Sequence, residues 1–384
     1  VHFWNTPELY AWLRSDLPSL RLLLVLHVGG LHAPQVVTRP LVDFADYVLA
    51  TSPFTLRLPV IDQAKTAAMF SPAGFERLAG VWPRPHGAFN VGYIGTLSPV
   101  KMHPRFVAMS ARVDIPNVRF ILCGSMPAAA LRNLDGRFES RGYVEDIGPV
   151  LAELDVFGYP LCEDNYSTSD LSLQEAMYAG VPPVIFPYGG IGELVQHGKT
   201  GLIVNSEEEY TRAIEYLYHH PEERHRLGEA ARDYARQHFG ADKAAGPLNR
   251  IFEGLLSQPK RERRLTDAPA DASGAELFTA ALGDSAPQFS RSLRSRDRAQ
   301  LLEAERRIAA SSPVLQDEGG GGIFHYRNAY LRDPMLRLWS GLVLMEQGQN
   351  ARAFSEFQTA LSLGLDDWRV KLYQAQAAAR LKRS

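Results

Sequence analysis

A chain of 384 residues is too long for one small domain and suits two or three. Its 45% apolar and 22% charged residues match an ordinary globular protein. With 41 Lys and Arg against 43 Asp and Glu, the net charge of -2 excludes the basic excess of a dedicated nucleic-acid binder. Two cysteines, Cys123 and Cys162, cannot make a disulfide framework, which points to a reducing compartment. No apolar run has the length of a membrane span, and no basic-then-apolar leader opens the chain. The expectation is therefore a cytoplasmic protein, with a peripheral membrane position as the variant.

In chain order, Arg21–Val28, Tyr47–Thr51, Ala88–Ile94, Val118–Cys123, Val156–Pro160 and Pro183–Phe186 read as short buried parallel strands. Helical patterns lie between or after them at His103–Arg112, Pro149–Leu154, Ser172–Ala179 and Glu207–His219. This alternation predicts α/β doubly wound units. After Leu256 the character changes. Ser257–Ala275 is rich in Pro, Ala, Asp and Arg without apolar period and reads as a linker, with the boundary placed across 257–296. The basic cluster Lys260–Arg264 within it reads as solvated linker rather than a contact for anionic lipid. From residue 297 helix formers dominate, broken by a glycine run at Asp317–Gly322. Gly341, Leu344, Gly348, Ala353, Phe357 and Ala360 have the spacing of packing positions in a tetratricopeptide repeat. Small residues at those positions let two antiparallel helices approach, with Phe357 filling the groove. A generic helical hairpin fits the same residues.

Four stretches between 92 and 204 carry the candidate chemistry. Gly92–Lys101 is a strand running into a turn at Gly95, Thr96 and Ser98, with a lysine that can face a diphosphate. Ile121–Ser125 is a strand ending at Gly124, where backbone can approach a nucleotide. Gly142, Tyr143 and Val144 could wall a base. The polar loop Ser167, Thr168, Ser169, Asp170 enters a helix at Leu171 and Ser172, with Ser169 or Asp170 as its cap and free amides for phosphate oxygens. Glu175 on that helix can accept both hydroxyls of a ribose. Gly189, Gly190 and Gly192, then Gly198-Lys-Thr-Gly201, complete the series.

This order resembles the donor-binding domain of retaining GT-B glycosyltransferases. The likeness rests on the Gly-turn with its Lys, Glu-Ala-Met-Tyr-Ala-Gly-Val-Pro, Gly-Gly-Ile-Gly-Glu and Gly-Lys-Thr-Gly-Leu. Family 4 is the nearest branch, with glycogen synthases and α-mannosyltransferases as wider relatives. It covers roughly residues 20–256. The resemblance implies two Rossmann-like domains, a UDP- or GDP-sugar donor and no cofactor or metal. It implies that Lys101 binds the diphosphate and Glu175 the ribose, that Val144 lies beside the base, and that the 168–172 amides and Gly189–Gly190 face phosphate and sugar. His27, at the end of the Leu24–Val28 strand, stands where the family often has a histidine facing the transferred sugar. A histidine hydrogen-bonded within the core is the alternative.

The pattern departs from the family in three places. Thr96 replaces an Arg that would share the diphosphate with the lysine. Ser167 stands where a second Glu, for the donor sugar, is usual; Glu163, Asp164 or Asp170 could replace it. Only about 86 residues precede the donor domain, fewer than the roughly 150 of an independent domain. Val1–Asn5 reads as a mid-domain strand, so the expectation is a truncated first domain. The division expected is 1–86 partial N-terminal domain, 87–256 donor domain, 257–296 linker and 297–384 helical appendage. The expected activity is sugar transfer to an acceptor hydroxyl with retention, with His27, Lys101 and Asp170 as catalytic candidates. The acceptor is a saccharide, a lipid-linked sugar or a protein, and the C-terminal helices are a candidate partner surface. The rival is a degenerate protein that binds nucleotide-sugars or recruits partners.

Overall fold

The computed structural model describes residues 1–126 and 134–382. Two parallel sheets organise it. Strands β1 (His2–Phe3), β2 (Leu23–Leu26), β3 (Tyr47–Ala50) and β4 (Thr66–Ala68) form one sheet in sequential order. Strands β5 (Phe89–Ile94), β6 (Val118–Cys123), β7 (Phe138–Gly142), β8 (Val156–Tyr159), β9 (Pro183–Ile185) and β10 (Leu202–Ile203) form the second. Its order is β10-β9-β8-β5-β6-β7. The six expected strands are all present, trimmed by up to two residues at either end. They were legible because parallel strands are buried on both faces; all six residues of β5 are buried.

The order of the second sheet places the site. The chain winds outward from β5 through β6 to β7, then returns to the other side of β5 at β8. Segments leaving the carboxyl ends of β5 and β8 therefore diverge and leave a crevice, the switch point where ligands of such sheets bind. The expected helices are found at Phe106–Ala111, Gly148–Leu151, Leu171–Tyr178 and Glu207–His219.

The stretch read as a linker corrects that expectation. It contains helices Gly274–Leu282 and Pro287–Arg294, the first opened by a capping box between Ser273 and Glu276. Ahead of them, Arg261 exchanges backbone hydrogen bonds of 3.1 Å with Leu20. Arg263 and Arg261 both pair with the buried Asp46 at 2.6 Å, and Leu265 is buried. The basic cluster is thus partly spent on the N-terminal sheet.

Nor are the later helices a separate appendage. Leu24, Leu26 and Val48 of the first sheet share one apolar core with Phe278, Phe289, Trp339, Phe357 and Ala377. Asn5 donates to the Ala281 carbonyl at 2.9 Å, and Gln35 to that of Gly320 at 2.6 Å. The glycine run docks on the same strand end: a Cβ on Gly321, whose φ is +79°, would lie 1.8 Å from the Asn5 carbonyl oxygen. A four-stranded sheet buries little apolar area alone, and these helices supply its missing layer. Within them, a Cβ on Gly341 would meet the Phe357 ring at 2.4 Å, the close helix–helix approach that the small-residue spacing predicts. The second sheet, the donor sheet of the expected division, has its own core, from Ala73 to Phe239. Among the described residues, no helix is long and apolar enough to cross a membrane.

Candidate active site

A cleft of about 540 Å³ opens between the two sheets at the switch point. The N-terminal sheet contributes Trp4 and His27, which follow β1 and β2. The donor sheet contributes Lys101, beyond β5, and the loop and helix start 166–172, beyond β8; Ser71 and Pro72 line the crossover. Lys101 is fixed from both sides. Its amide donates to Ser98 at 3.0 Å, and its carbonyl accepts from Cys162 at 2.8 Å, tying the β5 turn to the β8 loop. Its ammonium is ion-paired with Asp170, both side chains largely buried. Burial disfavours the charge on Lys101, but the Asp170 carboxylate outweighs it and holds the group above the ordinary lysine value. Tyr159, at the end of β8, directs its hydroxyl to the same carboxylate at 3.4 Å. Burial and that negative charge push its pKa up to about 12.

The helix Leu171–Tyr178 starts without a side-chain cap, which corrects the expectation that Ser169 or Asp170 caps it. Both are engaged elsewhere: the Ser169 hydroxyl donates to the Thr51 carbonyl, and Asp170 is drawn to Lys101. The helix-start amides consequently face the cleft end without side-chain competition, a favourable place for an anion. Thr168 accepts from the Thr51 hydroxyl at 2.8 Å and donates to the His27 carbonyl at 3.4 Å, binding the loop to the N-terminal sheet. Ser167 Oγ and Asp170 Oδ2 are buried without a hydrogen-bond partner. Such atoms are costly unless something else satisfies them.

His27 lies across from this loop. Its Nε2 is 2.6 Å from Nδ1 of His2, the rings stacked at 4.9 Å, and Trp4 lies parallel on it at 6.0 Å. Burial, then the neighbouring His2, lower the pKa of His27, favouring a neutral ring.

The cleft therefore brings together Lys101, His27, Asp170 and Ser167, Thr168, Ser169, Leu171 and Ser172. Of the three candidate carboxylates, Asp170 is the one lining it; Asp164 faces Cys162, whose thiol burial and that charge push up to about 12, and Glu163 is exposed. Glu175 is buried one turn along the helix and ion-paired with Arg77. Burial raises its carboxyl pKa, with Arg77 pulling the other way. The remaining candidates lie outside the cleft lining. Gly95 and Gly124 pack backbone to backbone, where a Cβ on Gly124 would be 1.9 Å from the Gly95 carbonyl. Gly189 and Gly190 back onto the polar loop, where added Cβ atoms would come within 2.7 Å of Asn165 and Thr168. Thr96 and Tyr143 are exposed, Tyr143 at 82%, and Val144 packs partly against the donor core. Trp4, Ser71, Pro72, Tyr166 and Arg77 were missed by the sequence reading. Isolated aromatics and a crossover Ser-Pro pair carry no motif, and Arg77 lies 98 residues from its partner. Among the described residues, no group of three or more His, Cys, Asp or Glu side chains is arranged to hold a metal ion.

Residues 88–220, the span that holds all six donor strands, match the family Glycosyl transferases group 1. This span of the chain is similar to that family. Outside it the likeness continues at lower identity. Spore coat protein SA of Bacillus subtilis is 24% identical over 301 residues, covering 66% of this chain and 78% of the relative. A GDP-mannose-dependent alpha-mannosyltransferase of Mycolicibacterium smegmatis is 31% identical over 164 residues, 41% of each chain. Among solved structures, Anabaena HepE in complex with UDP superposes with a TM-score of 0.53 at 20% identity, covering 62% of this chain and 72% of that one. Sucrose-phosphate synthase of Thermosynechococcus elongatus gives 0.53 at 22% identity, over 61% and 68%. The two sheets are thus a GT-B fold, and the matching span and its relatives support a glycosyltransferase function.

Proposed function

We propose that the chain transfers a sugar from a UDP- or GDP-sugar to an acceptor hydroxyl with retention of configuration, as a family-4-like enzyme. The observation that carries this is the switch-point cleft, where a buried lysine and uncapped helix-start amides converge opposite a histidine from the other sheet. Lys101 and the amides of residues 171 and 172 stabilise the departing diphosphate, a preorganised electrostatic role that calls on no metal. Asp170 exchanges its ion pair for a sugar hydroxyl, and His27 orients the transferred ring. Glu175, with Arg77, holds the ribose, and Val144 with Gly124 borders the base. The Mycolicibacterium relative is named for GDP-mannose and the Anabaena structure holds UDP, so both bases stay in the reading. The acceptor is a saccharide, lipid-linked or protein hydroxyl, and the setting is cytoplasmic. The helical hairpin around Gly341 and Phe357 is tetratricopeptide-like in packing.

A second reading, a degenerate binding protein, is favoured by one feature. Thr96 leaves Lys101 as the cation for the diphosphate, and Asp170 already compensates it. Incubation with UDP-, GDP- and ADP-sugars, assayed for nucleoside diphosphate release, separates the two. Release with one donor, and a product whose anomeric proton coupling matches the donor's, is expected. Binding without release would leave the degenerate reading; an inverted product would remove retention.

A further inference from the structure

We propose that Trp4 on the N-terminal wall of the cleft, braced by Tyr166 of the facing loop, is a subsite for a pyranose ring of the acceptor, so that the hydroxyl attacking the donor is a sugar hydroxyl. The proposal rests on the nucleotide-sugar reading of the opposite wall.

Trp4 directly follows β1, between the buried Phe3 and Asn5, yet stays 42% exposed inside a cleft. It is held in one orientation from two directions. One indole face lies parallel to His27, at 8° between planes, and Tyr166 meets it edge-on at 5.7 Å and 83°. The Tyr166 carbonyl accepts from the Gly29 amide at 2.9 Å, fixing the donor-side loop against the N-terminal sheet. An exposed, immobilised indole offers an apolar face with negative quadrupole. The C–H face of a pyranose is apolar with positive hydrogens, and its hydroxyls project around the rim. The rim needs polar partners, and the cleft has them. Ser167 Oγ is buried and unpartnered, and Ser71 and Ser172 line the same cleft. Few oriented polar groups around an aromatic wall are the composition of a small-ligand site. A lipid chain fits poorly, because its apolar wall would be interrupted by the hydroxyls of residues 167–169 and 172. The placement fits transfer as well. Trp4, His27 and Lys101 line one cleft, so a ring on Trp4 lies beside a donor sugar held there.

The test uses the full chain, with UDP-glucose and GDP-mannose as donors and methyl glycosides of glucose, galactose, mannose and N-acetylglucosamine as acceptor probes. At least one glycoside is expected to accelerate nucleoside diphosphate release. Trp4→Ala raises its KM about tenfold with a smaller change in kcat, and Trp4→Tyr restores most of the affinity. Trp12→Ala, an exposed tryptophan away from the cleft, behaves as wild type. Calorimetric titration of UDP and GDP into Trp4→Ala shows affinity within about twofold of wild type. The proposal is overturned if no methyl glycoside accelerates release, if Trp4→Ala leaves KM unchanged, or if it weakens nucleotide binding in step with KM. Wild-type protein that binds neither UDP nor GDP overturns the donor reading and the subsite with it, a result calorimetry distinguishes from failure of the subsite alone.

Discussion

The two sheets of this molecule bury their apolar faces in different ways. The donor sheet is covered by helices from its own stretch of chain, and its core runs from Ala73 to Phe239 without a distant contribution. The N-terminal sheet is completed by residues more than two hundred positions away, with Leu24 and Leu26 packed into the cluster that holds Phe278, Trp339 and Phe357. One half is contiguous in sequence and the other is assembled from both ends of the chain. The first should therefore fold on local information, and the second only when the C-terminal helices have docked.

The largest effect that can break this comparison comes from ending the chain at Leu256. The donor sheet should keep its protection in hydrogen exchange, while β1–β4 lose theirs and the truncated protein exposes apolar surface. Equal protection of both sheets would mean the helices are an appendage after all. Trp339→Ala should cost about 3–5 kcal/mol in denaturant unfolding, through a cavity beside Phe289 and the lost hydrogen bond to Ser292. Its loss should appear in the unfolding of the N-terminal sheet and leave the donor sheet's transition in place.

These predictions also explain what the sequence disclosed. Donor strands such as Phe89–Ile94 announce themselves because every residue is buried. The edge strand Phe138–Gly142 does not, since its half-exposed Phe-Glu-Ser-Arg-Gly has neither alternation nor an apolar run. The segment 257–273 looks like a linker because its anchors are charges, Arg261 and Arg263 on Asp46, and a single buried Leu265. The Ser273-Gly-Ala-Glu276 capping box was the available signal of the helix that follows. At the site, Lys101 and the loop 167–172 were legible as a motif. The Lys101–Asp170 pairing and the Trp4 wall were not, because they join residues 69 and 162 positions apart in one case across β5 and β8, in the other across the two sheets.

Smaller effects sharpen the comparison at the cleft and at the seam. Lys101→Ala should lower kcat/KM for nucleotide-sugar turnover by about a hundredfold, or ~3 kcal/mol, by removing the charge proposed to meet the diphosphate. It also leaves Asp170 buried without its cation, so Lys101→Ala with Asp170→Asn should be more stable than Lys101→Ala alone while remaining slow. A double variant with wild-type turnover would remove Lys101 from the mechanism.

Asp46→Asn should cost about 1–3 kcal/mol by unpairing the buried Arg263. Burial opposes the Asp46 charge, but the Leu22 amide, Arg263 and Arg261 outweigh it and hold its carboxyl below the ordinary value of 3.8. The folded value is the lower one, so this contribution is complete above the unfolded value and lost as the pH falls through the folded one. Acid unfolding of wild type should accordingly be steeper than that of Asp46→Asn below about pH 4, measured by denaturant midpoints across the range.

The most direct test of the donor site is hydrogen–deuterium exchange on the whole chain with and without saturating UDP or GDP. One nucleotide should slow exchange in peptides covering 95–101 and 167–175, the turn after β5 and the helix start after β8, and leave the outer C-terminal helices unchanged. Binding that protects other segments while these two exchange as before would contradict the account.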